Sequence, residues 1–274
     1  MLLLSLKEYM KTNNLPIGVF DSGLGGLTVL NELKTFLPDE SFIYFGDTAH
    51  VPYGNKSKES IIKFSQSIID FLDSQPVKLI VVACNTVSSL ALQDIKTKTP
   101  IISVIDPVFN YFDNNIKSIK SVGIIGTSNT IKSESYVQLI HNLKPKLPIY
   151  AQACPLLVPI IEEGLENHKI TQIILQDYLG EIKQHNISLL ILGCTHYPII
   201  KNHISNILSH NVDIVDSAEL TASYVKDYLI NNNVLYKQKE ATIKVYVSDK
   251  DRKFKFLSKN FLNHQIDMIK KIEI

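Results

Sequence analysis

The chain has 274 residues, 45% hydrophobic and 20% charged, and its 28 Lys and Arg balance 27 Asp and Glu to a formal charge of +1. That length suits one large domain or two smaller ones, here read as two, and the near-neutral balance offers no general pull toward nucleic acid or an anionic membrane. No apolar run approaches the roughly 18 residues of a membrane span, and three widely spaced cysteines, Cys84, Cys154 and Cys194, argue against a disulfide framework and supply no CxxC or HxxxH pairing for a structural zinc.

The first stretch, MLLLSLKEYMKTNN, lacks a basic region and a small-residue cleavage site, so it does not read as a signal peptide and the protein is expected to be cytoplasmic. Met10 opens MKTNNLPIGVF, which makes residues 1–9 an expected upstream-start extension. From there short β-branched runs predict strands at 16–20, 41–46, 77–83, 100–105, 121–126, 148–153, 188–193 and 211–216. Between them, three- and four-residue apolar spacing predicts helices at 27–37, 58–72, 88–96, 132–143 and 170–182. No low-complexity linker interrupts the series. This alternation is the signature of an α/β fold with mainly parallel sheets.

In such sheets ligands bind beyond the carboxyl ends of the strands. The residues found there are DSG at 21–23, GDTAHVPYG at 46–54, CNT at 84–86, GTSNT at 126–130, CPLLVPIIEEG at 154–164 and GCTH at 193–196. Two of these endings deliver a cysteine followed by small polar residues: Asn85 and Thr86 after Cys84, Thr195 and His196 after Cys194. A buried cysteine is usually no more than a small hydrophobe. A matched pair, each ahead of an expected helix N-terminus that stabilises a thiolate, suggests thiols on opposite sides of one carbon, one removing a proton and the other returning one. The glycines of DSGLGGLTVL meet neither the GxGxxG nor the GK[ST] fingerprint and read as a tight turn, with Asp21 and Ser22 suited to an ammonium group. The 46–54 segment reads equally as a surface turn or as a loop whose Tyr53 and Gly54 close over a ligand.

Taken in order, GVFDSGLGGLTVL, YFGDTAHVPYG, ACNTVSSLAL, GIIGTSNTIKSESY, CPLLVPIIEEG and LGCTHYPII resemble the glutamate racemases of the aspartate/glutamate racemase superfamily over about residues 16–218. The resemblance implies two pseudo-symmetric α/β domains, here expected at 1–106 plus 218–274 and at 107–217, with the active site in the cleft between them. It implies interconversion of L- and D-glutamate without pyridoxal phosphate, metal or other cofactor, supply of D-glutamate for peptidoglycan, and a homodimer. Cys84 and Cys194 would be the acid/base thiols, Asp21 the carboxylate assisting Cys84 and His196 the imidazole assisting Cys194. Ser22, Tyr53, Gly54, Asn85, Thr86 and Thr195 match substrate-contacting positions, as do Asp21 and His196, and Thr127 and Thr130 fall where the family contacts the substrate carboxylate or its surroundings. A family glutamate falls within EEG, at Glu162 in preference to Glu163. His50 stands where an arginine is common and Val87 where alanine is frequent, while Cys154 lies outside the thiol pair and is expected to be structural. Three other readings compete: a racemase of aspartate or a hydantoin, a hydrolase using one cysteine with His196 as base, and a non-catalytic amino-acid-binding module. The last two leave at least one strand-end thiol idle.

Overall fold

The computed structural model describes residues 13–208, 212–238, 240–249 and 254–273, so the expected extension at 1–9 lies outside the described residues. Two parallel sheets carry the chain, each with helices on its faces. The first comprises β1 (Ile17–Asp21), α1 (Leu27–Phe36), β2 (Phe42–Gly46), α2 (Lys58–Ser74), β3 (Leu79–Val82), α3 (Asn85–Leu90) and β4 (Ile101–Ser103), after which α4 (Ile105–Asn115) packs onto the second sheet. The second comprises β5 (Val122–Gly126), α5 (Ser128–Lys132), α6 (Ser135–Leu143), β6 (Ile149–Ala153), α7 (Leu157–Glu162), α8 (Lys169–Gln184), β7 (Leu189–Gly193), α9 (Lys201–Leu208) and β8 (Asp213–Asp216), after which α10 (Ser217–Asn231) packs against α1 and α4. The chain then returns to the first sheet as β9 (Ile243–Val247), α11 (Phe254–Phe261) and β10 (Met268–Lys271).

The sheet orders are β10-β9-β2-β1-β3-β4 and β6-β5-β7-β8. Each lobe therefore repeats one pattern, second-first-third-fourth, with the order reversing between its first and third strands. In a doubly wound sheet that reversal opens the ligand crevice. Asp21 ends β1 and Cys84 follows β3; Gly126 ends β5 and Cys194 follows β7. The two thiols occupy equivalent places in two copies of one topology.

The central strands are nearly continuous apolar runs because both faces are covered: β1, β2, β3, β5 and β7 are buried along their whole length. Removing side chains such as Leu33, Ile69, Val81 and Leu192 from water contributes roughly 1.5–3 kcal/mol each. One apolar cluster runs from Val19 and Val81 of the first sheet to Leu192 and Cys194 of the second, joining the lobes, whereas Cys84 belongs to a separate cluster against α2. Among the described residues no helix is long and apolar enough to cross a membrane.

All eight expected strands form, each within two residues of its predicted ends. Two helices differ from expectation. The segment read as a helix over 88–96 is helical from Asn85, with Cys84 as its N-cap, and gives way after Leu90 to a 3-10 turn at Leu92–Asp94. The expected helix over 132–143 is broken at Glu134, whose φ of 55° is left-handed, so α5 and α6 are separate. Thr127 caps α5 by accepting from the Thr130 backbone N–H at 3.2 Å.

Candidate active site

Cys84 and Cys194 line one small cavity between the lobes, of about 20 Å³. Of the other residues expected to contact substrate, Ser22, Tyr53, Gly54, Asn85, Thr86, Thr127, Thr195 and His196 line it too. Asp21, Thr130 and Glu162 stand behind this lining: Asp21 at the end of β1, Thr130 bonded to two lining threonines, Glu162 bonded to His196. Val51, Pro52 and Val158 complete the wall and were not anticipated, since nothing in the spacing of apolar residues marks them as facing a cavity.

On the first lobe, the Cys84 thiol donates toward the Ser22 hydroxyl at 3.5 Å. Burial pushes this thiol up to about 12, and the Asp21 carboxylate nearby adds to the shift. Asp21 is itself fully buried. Its Oδ2 accepts from the Gly23 backbone N–H at 3.0 Å, while among the described residues Oδ1 has no partner. Burial raises the Asp21 carboxyl, and the positive field of His196 with the Gly26 and Gly23 N–H groups partly offsets it.

On the second lobe, Cys194 Sγ lies 3.7 Å from His196 Nδ1, and His196 Nε2 lies 3.0 Å from Glu162 Oε1. Burial alone would discourage an imidazolium here. The hydrogen bonds to Cys194 and Glu162 outweigh it and raise His196 well above its ordinary range. The expected symmetry of two helix N-termini is only half present: Cys84 caps α3 directly, but Cys194 leads into a 3-10 turn at Tyr197–Ile200 and α9 begins only at Lys201. An imidazole takes the place of the dipole.

The glycines at 25 and 26 are explained by close approach. A Cβ on Gly25 would lie 2.3 Å from His196 Nδ1, and one on Gly26 would lie 2.3 Å from Asp21 Cβ. The turn therefore presses the backbone of one lobe onto the imidazole of the other. Thr28 secures the contact by donating to the Thr195 carbonyl at 2.8 Å or sharing that proton with the Gly25 carbonyl at the same distance. Across the cavity, Thr86 meets Thr127 at 3.0 Å and Thr130 at 3.4 Å, and the Asn129 amide donates to the Tyr53 and Lys56 carbonyls at 3.1 and 2.8 Å. The loop carrying Tyr53 and Gly54 is anchored by the buried Asp47, which accepts from Tyr53, Ser248 and His50. His50 also stacks on Phe64, with ring centroids 4.0 Å apart, so the position where the resemblance expected arginine serves the loop.

The profile described as Asp/Glu/Hydantoin racemase matches residues 26–225. This chain belongs to that racemase family. Among curated racemases it is similar to the glutamate racemase of Chlorobium phaeobacteroides, 39% identical over 274 residues and covering 98% of this chain and 100% of that one. The glutamate racemase of Neisseria meningitidis serogroup C is 40% identical over 262 residues, covering 94% of this chain and 97% of the relative. Among solved structures it resembles the glutamate racemase of Francisella tularensis in complex with D-glutamate, with a TM-score of 0.89 and 39% identity over 95% of this chain and 98% of that chain. Within this racemase fold the third cysteine, Cys154, is 1% exposed, its carbonyl accepts from the Tyr197 hydroxyl at 3.0 Å, and burial raises its thiol.

Proposed function

We propose that this protein interconverts L- and D-glutamate by proton transfer between its own thiols, and that Cys84 and Cys194 are the two catalytic groups. What carries the reading is their delivery, by the third strand of each of two like-ordered sheets, to one cavity. In one direction a thiolate at one cysteine takes the α-proton, leaving the electron pair on Cα, and the thiol of the other returns a proton to the opposite face of that carbon. The reverse direction exchanges the roles. Asp21 lies beside Cys84 and within the field of His196, where it attracts the substrate ammonium and assists the first thiol. His196, held by Glu162, assists the second. Asn85, Thr86, Thr127 and Thr195 supply the donors that hold a carboxylate and stabilise charge developing at the reacting centre.

The cavity holds roughly one water, so an amino acid enters only when the lobes part and is then sealed from solvent when they close. The proposed division of the chain places 1–106 and 218–274 in one moving part and 107–217 in the other. D-Glutamate so produced would serve peptidoglycan synthesis in the cytoplasm, and a homodimer is the proposed assembly.

The test is deuterium incorporation at Cα in heavy water with L- and D-glutamate. Wild type should exchange and racemise both, and each cysteine-to-serine variant should lose racemisation with unequal effects on the two enantiomers. Absence of exchange with glutamate in the wild type overturns the substrate; equal effects of the two variants on both enantiomers overturn the two-thiol scheme.

A further inference from the structure

Tyr136, on α6 of the second lobe, is 4% exposed, and its hydroxyl donates to Asn85 Oδ1 of the first lobe at 2.6 Å. Asn85 follows Cys84, opens α3, lines the cavity and is 2% exposed. The other end of its amide, Nδ2, is buried and, among the described residues, has no hydrogen-bond partner. A buried amide donor left unmade is costly, and in a cavity this small it marks a place where something must accept. The same ring reaches the second thiol strand: a Cβ on Gly193, the residue before Cys194, would lie 3.4 Å from Tyr136 Cε2.

The bonding decides which way the amide faces. A phenol proton needs an acceptor, Oδ1 provides one, and the NH2 group is thereby turned away from the tyrosine. Reversed, the amide would present an oxygen to the site, where it would repel an anion. Burial, with the nearby Cys194 charge, raises Tyr136 above the ordinary phenol range, so the hydroxyl keeps the proton it donates.

We infer that Tyr136 is a positioning residue that locks the Asn85 amide with its NH2 group offered to a carboxylate of the substrate, and that it does so across the lobe interface, so the donor is oriented only when the two lobes meet. The inference rests on the glutamate-racemase reading, which places Asn85 among the substrate contacts. It assigns Tyr136 no contact with the reacting atoms.

The experiment compares steady-state racemisation by wild type, Tyr136→Phe, Asn85→Ala and the double variant, with L- and D-glutamate. Wild-type racemisation of glutamate establishes the underlying reading independently. Tyr136→Phe keeps the ring and its packing, and should raise KM roughly 3- to 10-fold for both enantiomers, with kcat changed less than about twofold. In the Asn85→Ala background the same substitution should change KM by less than about twofold, because the amide it orients is gone. An unchanged KM in Tyr136→Phe, or its full effect persisting in the Asn85→Ala background, overturns the inference, as does a loss confined to kcat. Should Tyr136→Phe fail to fold, Asn85→Asp decides: it keeps an acceptor for the phenol and replaces the donor with an anionic oxygen facing the substrate carboxylate, so KM should rise at least about tenfold, and wild-type KM in that variant overturns the proposal.

Discussion

The two thiol ends share a topology and differ in chemistry. Cys84 caps a helix, faces a serine hydroxyl and a buried carboxylate, and has a thiol pushed up to about 12. Cys194 lacks the helix cap and instead has an imidazole 3.7 Å away, braced by a carboxylate on its far side and raised by that pairing. A symmetric reaction thus runs on an asymmetric frame. The proposed two-base transfer needs one side protonated and the other not in each of its forms, and burial of the Cys84 thiol favours its protonated form. Duplicate strand order supplies the geometry, and the unlike neighbours supply the bias.

The largest effect that would break this comparison comes from the thiols. Cys84→Ser and Cys194→Ser should each lower racemisation by roughly 10²- to 10⁴-fold, and in deuterium-exchange NMR each should spare exchange of a different enantiomer. Loss of the same enantiomer in both would remove the distinction between the sides. Next, Glu162→Gln should reduce kcat about 10- to 100-fold by weakening a part-buried hydrogen bond to a charged group; steady-state assays should show the larger loss for the enantiomer whose exchange Cys194→Ser abolishes. Asp21→Asn should give the mirrored preference, and coincident preferences would mean that the two carboxylates do not serve separate thiols. A smaller effect is expected of Gly25→Ala, whose methyl would meet His196 Nδ1 at 2.3 Å. Overpacking there should cost about 1–3 kcal/mol in denaturant melts and carry the enantiomer preference of Glu162→Gln.

The last effect, which leaves activity at neutral pH untouched, is one of pH on stability. The Cys84 thiol is at 9.0 in the unfolded reference and near 12 when folded, so the unfolded chain gives up its proton first as pH rises. The stability this group contributes is complete below pH 9 and lost progressively from 9 toward 12, by at most about 1.4 kcal/mol per pH unit. Thermal melts of Cys84→Ser should therefore decline less steeply above pH 9 than those of wild type. Parallel slopes would place the thiol in a more solvated setting than its 4% exposure describes.

Much of the first 216 residues was legible because strands covered on both faces must be continuously apolar, and VKLIVVA and SLLILG permit little else. The return to the first sheet was harder. IKVYV in β9 carries a half-exposed Tyr246 and an exposed Lys244, and β10 is an edge strand of Met, Ile and two lysines, so neither has the long apolar run that betrays a central strand. The break at Glu134 was invisible because a left-handed glutamate has no composition cue. At the site, the cysteines and their polar followers could be read from position alone. Thr28, Asn129 and Tyr136 could not: each acts on a residue between 51 and 167 positions away, or in the case of Asn129 73 to 76 away, and local spacing encodes no such distance.

The late return of the chain bears on how the protein is made. Strand β9 pairs with β2, and β10 with β9, yet the whole second sheet lies before them in the chain. A ribosome therefore finishes the second lobe while β2 is still an open edge, and both thiol strands exist before the sheet beneath one of them is complete. The last arrivals also bring Ser248 to Asp47 and Phe261 edge-on to His196, 5.8 Å between ring centroids. A nascent chain stopped short of β9 would hold both cysteines and still lack the Ser248 bond to the loop's Asp47 anchor and the ring against the imidazole, so assembly of the active site waits for the segment made after the second lobe.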